Sequence, residues 1–299
     1  MNLPGWILLV TVGGAPLSAA AETVTVLGQV VLDETKLDGE KIGEFSALVR
    51  DPDGEGVLAV SDRGYMARLD IGITNGRLTQ VTPISVHVLK SADGGSMRDQ
   101  GFNPEAAALL DDGTVAIVSE SGPRLSVFDP QGNWLRDEAL PVPVRDALLQ
   151  ASEKDGIEAL AWTATTGFIA MTEEPQLGKP RDLHALHSTL SGSAEFSTGQ
   201  ADSISIKAME TVGNQLVILE RTRDDVTEAI QPWLRLIDID TCFGQSQCVA
   251  QQLSLDLDGL SDADFEGLVA LDDMTFLMVS DDRIAGDLRS VFVLFRIEP

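Results

Sequence analysis

Residues Pro104–Gly122 read PEAAALLDDGTVAIVSESG. A short apolar run, a turn built from Asp-Asp-Gly, and a second apolar run ending in an acid make the pattern of a β-hairpin. The pattern recurs four times: FSALVRDPDGEGVLAVSDRG from Phe45, IEALAWTATTGFIAMTEE from Ile157, IKAMETVGNQLVILERT from Ile206 and FEGLVALDDMTFLMVSDDR from Phe265. Glu105, Glu158 and Glu266 open three of the repeats, with Ser46 and Lys207 at the matching place in the other two. Each second strand closes on an acid: Asp62, Glu120, Glu173, Glu220 and Asp281. Fifteen positions separate Glu105 from Glu120, Glu158 from Glu173 and Glu266 from Asp281.

Successive repeats start about 50–60 residues apart, which leaves room for two further strands each. YMARLDIG, RLSVFDP, WLRLIDID and VAQQLSLDL have the right character. Self-similarity at this period indicates a circular repeat architecture. The expected fold is therefore an all-β propeller of four-stranded blades, with five blades favoured over six. The last repeat contains one obvious later strand, SVFVLFRI, and the opening strand TVTVLGQVVL is expected to complete its blade. Residues 143–154 are expected to form no more than one or two helical turns.

The chain has 299 residues, of which 43% are apolar, enough to bury a core. Its formal net charge of −26 disfavours nucleic acid and anionic lipid as partners and favours hard cations. Residues 1–21 carry no Asp, Glu, Lys, Arg or His, and an apolar run leads to Ala19-Ala20-Ala21. This reads as a signal peptide, with residues 22–299 as one periplasmic or secreted propeller domain, monomeric and without a membrane span. Cys242 and Cys248 are expected to form a structural disulfide. Two thiolates with no nearby His do not make a zinc site.

In a propeller the first strand of each blade lines the axis, so a motif present once per blade converges there. Carboxylates gathered in one narrow space need cations, basic partners or raised pKa values. Arg63, Arg221 and Arg283 lie beside the acids and could form bidentate pairs that pin blade to blade. The other answer is calcium, with Asp264, Glu266, Asp281 and Asp282 as the densest group and Glu120 and Glu173 beside them. Serine-hydrolase, Walker-loop and His-based zinc motifs are absent. His184 and His187 read as surface or packing residues on a strand edge, and Trp134, Trp162 and Trp233 as core.

The ordered series SDRG, PEAAAL, IEALAW with TEE, LER, and DFEGL with SDD resembles the phytase-like family, also described as esterase-like activity of phytase. The resemblance covers nearly all of residues 38–297. It implies an exported bacterial propeller and assigns Asp62, Arg63, Glu105, Glu120, Glu158, Glu173, Glu220, Arg221, Glu266 and Asp281 to its motifs. Glu105 and Glu158 are followed by Ala where the family usually has Gly, and Arg283 stands where it usually has Asn. Two functions fit. One is a metal-assisted phosphoester or ester hydrolase, with Asp62, Arg63, Glu105, Glu158, Glu220, Arg221 and Glu266 at its centre, acting on a small anionic or cation-bridged substrate. Sugar hydrolysis by a carboxylate pair is a variant of this. The other is a non-catalytic binding or scaffolding propeller of the cell envelope, its acids locked in Glu-Arg pairs.

Overall fold

In the computed structural model, residues 22–298 are described apart from 55, 121, 147–148, 151–155, 200–203, 225, 228, 246, 258–259, 261–262, 282 and 285–286, with backbone alone at 283–284 and 287–288. The signal-peptide expectation, Asp282 and the Arg283 side chain lie outside this description.

Strand β1 (Thr23–Asp33) is followed by a small hairpin, β2 (Thr35–Leu37) and β3 (Glu40–Ile42). Blade 1 is β4 (Phe45–Arg50), β5 (Val57–Ser61), β6 (Tyr65–Thr74) and β7 (Arg77–Val88). Blade 2 is β8 (Pro104–Leu109), β9 (Val115–Ser119), β10 (Arg124–Phe128) and β11 (Trp134–Glu138). One helical turn, α1 (Val142–Arg145), leads to blade 3: β12 (Ile157–Thr163), β13 (Gly167–Thr172), β14 (Leu183–Ser188) and β15 (Gly192–Ser197). Blade 4 is β16 (Ile204–Val212), β17 (Gln215–Arg223), β18 (Ile230–Asp238) and, after α2 (Ile239–Cys242), β19 (Ala250–Ser254). Blade 5 takes β20 (Phe265–Ala270), β21 (Thr275–Ser280) and β23 (Asp287–Glu298), with the short β22 (Arg283–Ile284) folded against β23.

Every blade is an antiparallel sheet. The fourth strand of blade 5 is β1, which pairs with β23 from Thr23↔Glu298 to Asp33↔Arg289. The two ends of the chain thus close one sheet, as the sequence led us to expect. Innermost strands β4, β8, β12, β16 and β20 are neighbours in that order, and β20 returns to β4. The architecture is a five-bladed β-propeller.

The second strands are mostly apolar because both their faces are covered by neighbouring blades. VLAVS of β5, VAIVS of β9 and TFLMVS of β21 are wholly buried, whereas the outer strand WLRDE alternates with solvent. The core is divided into five interblade clusters, one per interface. The cluster joining blade 5 to blade 1 contains Leu277, Phe292, Leu48, Ala59 and Tyr65, so the ring is sealed by packing as well as by β1. Burying each of these large side chains contributes roughly 1.5–3 kcal/mol.

Two sequence expectations need correction: the tryptophans are not core, and the histidines are packing residues away from any sheet edge. Trp134, Trp162 and Trp233 are partly exposed, because each projects from a strand end or an outer strand. His184 and His187 lie on β14, inside blade 3, and both are buried. His184 stacks on Phe196, and burial lowers the pKa of both imidazoles to about 4. The expected disulfide is present: Cys242 and Cys248 are bonded, and the Cys248 amide donates to Glu195 O at 2.7 Å, tying the loop to β15.

Candidate functional site: a ring of ionisable groups at one mouth of the axis

Each innermost strand carries a β-bulge at the same place. The register between first and second strands slips between Phe45 and Ala47, Pro104 and Ala106, Ile157 and Ala159, Ile206 and Ala208, and Phe265 and Gly267. The extra residue in each case is Ser46, Glu105, Glu158, Lys207 or Glu266. A bulge leaves one residue without a cross-strand partner and re-aims its side chain. Repeated five times around the axis, it builds a ring. The residue after each bulge is small (Ala47, Ala106, Ala159, Ala208, Gly267) because the innermost strands approach most closely here. A Cβ on Gly267 would lie 2.7 Å from Val279 Cγ1 and 3.1 Å from Leu48 Cγ. Beyond the ring, Leu48, Leu160, Met209 and Leu268 fill the axis and leave about 10 Å³, the room of about one water.

The second-strand acids form a tier above this ring, and the register corrects one of them. Phe45 pairs with Ser61, Pro104 with Ser119, Ile157 with Thr172, Phe265 with Ser280, and Ile206 with Glu220. Glu220 is therefore the counterpart of Ser61, Ser119, Thr172 and Ser280. The residue matching Asp62, Glu120, Glu173 and Asp281 is Arg221. Because side chains alternate along a strand, that one-residue difference reverses direction. Glu220 is fully buried within the blade, gripped by Arg235 Nε and by Arg235 Nη2 at 2.9 Å, with the guanidinium over the Phe196 ring. Burial raises its pKa against the pull of Arg235. It belongs to the blade 3–blade 4 interface and does not join the ring.

Blade 4 thus presents two cations where the other blades present acids, and the network organises around them. Lys207 Nζ donates to Glu158, lies 3.1 Å from Glu173 Oε1 and 3.0 Å from Glu266 Oε1. Arg221 Nη2 lies 2.9 Å from Glu173 Oε1, and Nη1 donates to Asp264. These contacts join blades 3, 4 and 5. Burial alone would lower the Lys207 pKa, but Glu158, Glu266 and Glu173 outweigh it and hold the ammonium charged. Burial raises Glu158 and Glu266, and Lys207 opposes the rise in each.

The blade 1–blade 2 side is different. Asn103 Nδ2 donates to Glu105 Oε1, and no ion pair to Glu105 occurs among the described residues. Burial, with the charges of Glu158, Glu266, Glu120 and Asp62, pushes its pKa to about 10. Burial raises Asp62 to about 6 against Arg63, with Glu266 adding to the rise. Asp62 Oδ1 is buried with no hydrogen-bond partner. Arg63 Nη1 is 2.8 Å from Glu44 Oε2, while a third of its side chain remains exposed. Glu120 accepts from the Gly156 amide at 3.3 Å, and burial raises its pKa. A Cβ at Gly156 would sit 2.6 Å from Glu120 Cγ, so the contact requires glycine there.

The ring therefore unites Asp62, Glu105, Glu120, Glu158, Glu173, Lys207, Arg221, Asp264 and Glu266, with Arg63 at its rim. The Asp281 amide donates to Asp264 O at 2.9 Å, which places Asp281 in the same tier. Sequence reasoning missed Lys207 and Glu44. Lys207 was already visible at the repeat position of Glu105, Glu158 and Glu266. Glu44 has a weaker signal, following Gly43 at the entrance to β4 with φ 52°, a conformation unusual for a residue with a side chain.

Glu173, Asp264 and Glu266, expected as metal ligands, each turn one oxygen to Lys207 or Arg221, whose charges oppose a dication there. Among the described residues, no three acidic or histidine side chains are grouped for a metal. The carboxyl oxygens around Asp62 and Glu105 have the hard-donor chemistry calcium prefers, and the orphaned Asp62 Oδ1 fits such an ion.

A five-bladed propeller with a carboxylate ring at one mouth is the class that fold and site define. The chain belongs to the phytase-like family, described as esterase-like activity of phytase, whose model matches residues 40–283. No curated protein matches the chain in sequence. Among solved structures it is similar to the PQQ-bound aldose sugar dehydrogenase of Streptomyces coelicolor, at 11% identity and TM-score 0.49, covering 94% of this chain and 99% of that one. It is also similar to the Pan2 WD40 domain of Neurospora crassa, at 9% identity and TM-score 0.44, covering 91% and 95%. A further likeness is to virginiamycin B lyase of Staphylococcus aureus, at 11% identity and TM-score 0.35, covering 83% and 64%.

Proposed function

We propose that this protein is an exported hydrolase of carboxylic esters or cation-bridged phosphoesters, acting at the Asp62–Glu105 side of the ring. One observation carries the reading: on this side of the ring Asp62 Oδ1 is buried without a partner and Glu105 is held by Asn103 with no ion pair among the described residues, and burial raises the two carboxyls unequally, Asp62 to about 6 and Glu105 to about 10. Groups pushed apart in this way are suited to base and acid roles. Asp62 takes a proton from the attacking water as the new oxygen bond forms. Glu105 gives its proton to the leaving oxygen as the ester bond breaks, and proton exchange with solvent restores both. Arg63, at the rim with part of its guanidinium exposed, faces the anionic oxygens of the substrate. Arg221 is committed to Glu173 and Asp264 and positions the ring.

Calcium enters as a proposal beside the unpartnered Asp62 Oδ1, where it would neutralise charge on an anionic substrate. The net charge of −26 makes that neutralisation necessary for a phosphoester and unnecessary for a neutral ester. Export is supported by the charge-free leader and the Cys242–Cys248 bond. Among the described residues, no helix is long and apolar enough to cross a membrane.

The test is turnover of para-nitrophenyl acetate and para-nitrophenyl phosphate from pH 5 to 11, with calcium and with chelator. The expected profile is a bell with limbs near 6 and 10. Asp62→Asn should remove the acid limb, and Glu105→Gln the alkaline one. Equal turnover by wild type and both variants would end the hydrolytic reading. It would leave the scaffolding propeller, which the Lys207 network across three blades favours.

A further inference from the structure

The opposite mouth of the axis is open and built differently. All five innermost strands end there. Between them lies a cavity of about 400 Å³, whose lining includes Arg50, Asp111, Trp162 and Glu210. It adjoins a second cavity of about 630 Å³ between blades 2 and 3, which shares Asp111, Trp162 and Ala164 and adds Phe168 and Leu190. Both volumes fall within the range of small-molecule sites. Trp162 is the common wall, packed in part on the blade 2–blade 3 core and otherwise facing the trough. Leu190 beside it is 69% exposed.

Glu210 has a placement of its own. Its Oε1 accepts from the Thr211 amide at 2.8 Å and its Oε2 from the Ala270 amide at 3.4 Å, which fixes the carboxyl between blades 4 and 5. Among the described residues it has no ion pair. Burial raises its pKa to about 7, with the two amides and Arg50 opposing the rise. The remaining lining charge is acidic on balance. Arg136 is paired with Glu138 at 2.7 Å, and Asp111 and Asp273 stand exposed against the single guanidinium of Arg50.

We propose that this trough is a second binding site, distinct from the carboxylate ring, for an organic amine with an apolar ring or chain. The apolar body lies on Trp162, Phe168 and Leu190, and the ammonium reaches Glu210. An indole face and a fixed carboxylate together favour a cation, and the excess of acids disfavours an anion of the same shape.

The probes are phenethylamine and its anionic counterpart phenylacetate, titrated calorimetrically into the whole protein at about pH 8, where Glu210 is mostly ionised. Phenethylamine should bind saturably with a dissociation constant on the order of 1 mM, as expected for so small a ligand, and phenylacetate should not. Glu210→Gln should weaken the amine about tenfold, and Trp162→Ala should abolish binding while Trp162→Phe retains it. The phenylalanine variant and Glu210→Gln keep the test intact if the alanine variant does not fold. Equal binding of amine and anion, unaltered binding in Glu210→Gln, unaltered binding in a folded Trp162→Ala, or no saturable binding of the amine would overturn the proposal. Neither result depends on whether the ring hydrolyses esters.

Discussion

Replacing Glu105 by Gln should make the protein more stable, by an amount that grows with pH. Glu105 titrates near 10 in the fold against 4.5 as an ordinary glutamate, because burial and four neighbouring carboxylates disfavour its charge. The folded state therefore binds this proton more tightly than the unfolded chain. For a raised carboxyl, stability is fully present below 4.5 and is lost as pH rises towards 10. Each unit costs about 1.4 kcal/mol, so at pH 7 the wild type gives up about 3 kcal/mol. Glutamine has no proton to lose in either state and keeps an oxygen for Asn103 Nδ2. Urea unfolding of both proteins at pH 5, 6, 7 and 8 measures the difference. It should be about 1 kcal/mol at pH 5 and widen by about 1.4 kcal/mol per unit above it. A gap that stays constant over this range, or a variant weaker than wild type at pH 8, would refute the account of Glu105 as a proton held by its neighbours. Added calcium should narrow the gap if the ion enters beside Asp62 and Glu105, since it would relieve the same repulsion.

Lys207→Met should cost about 3–5 kcal/mol at neutral pH, since Glu158, Glu173 and Glu266 lose their shared cation, with the loss shrinking as pH falls and the raised carboxyls of Glu158 and Glu266 protonate; thermal melts at pH 7 and pH 5 read this. Glu220→Ala should cost a similar amount by leaving Arg235 buried and unpaired, while turnover per folded molecule stays at the wild-type value, because Glu220 is not in the ring. Gly156→Ala should destabilise by about 1–3 kcal/mol and displace Glu120, seen as a lower urea midpoint, since the added methyl meets Glu120 Cγ. Reduction of Cys242–Cys248 should lower stability by about 2 kcal/mol, the modest value of a short closed loop, measured by unfolding with and without reductant.

The blades were legible because their signal is local and repeated. An apolar run, a turn and another apolar run fix a hairpin without distant information, and five copies with matched spacing fix a ring. The same counting left the last blade one strand short and offered TVTVLGQVVL to complete it beside SVFVLFRI, as the pairing of β1 with β23 shows. Residue identities at the axis followed for Glu105, Glu158 and Glu266, which head their repeats.

Register and pairing were not legible. The sequence aligns Glu220 with Asp62, Glu120 and Glu173, but the turn of that repeat is short, and only the observed pairing of Ile206 with Glu220 places Arg221 at the axis instead. A strand side chain reverses direction with a one-residue shift, so a small misalignment exchanges an axial acid for a buried one. Lys207 could be read as a departure from the repeat, yet its three carboxylate partners come from blades far along the chain. Their protonation, and the contrast between the cation-filled side of the ring and the Asp62–Glu105 side, depends on desolvation and on charges brought together from separate segments. The sequence alone therefore determined the repeated four-stranded unit, favoured five blades over six, and set Glu105, Glu158 and Glu266 at the axis, because these rest on local repetition. Which acid is neutralised, which is protonated and which is turned away is decided by the closed ring, because those properties belong to distances between blades.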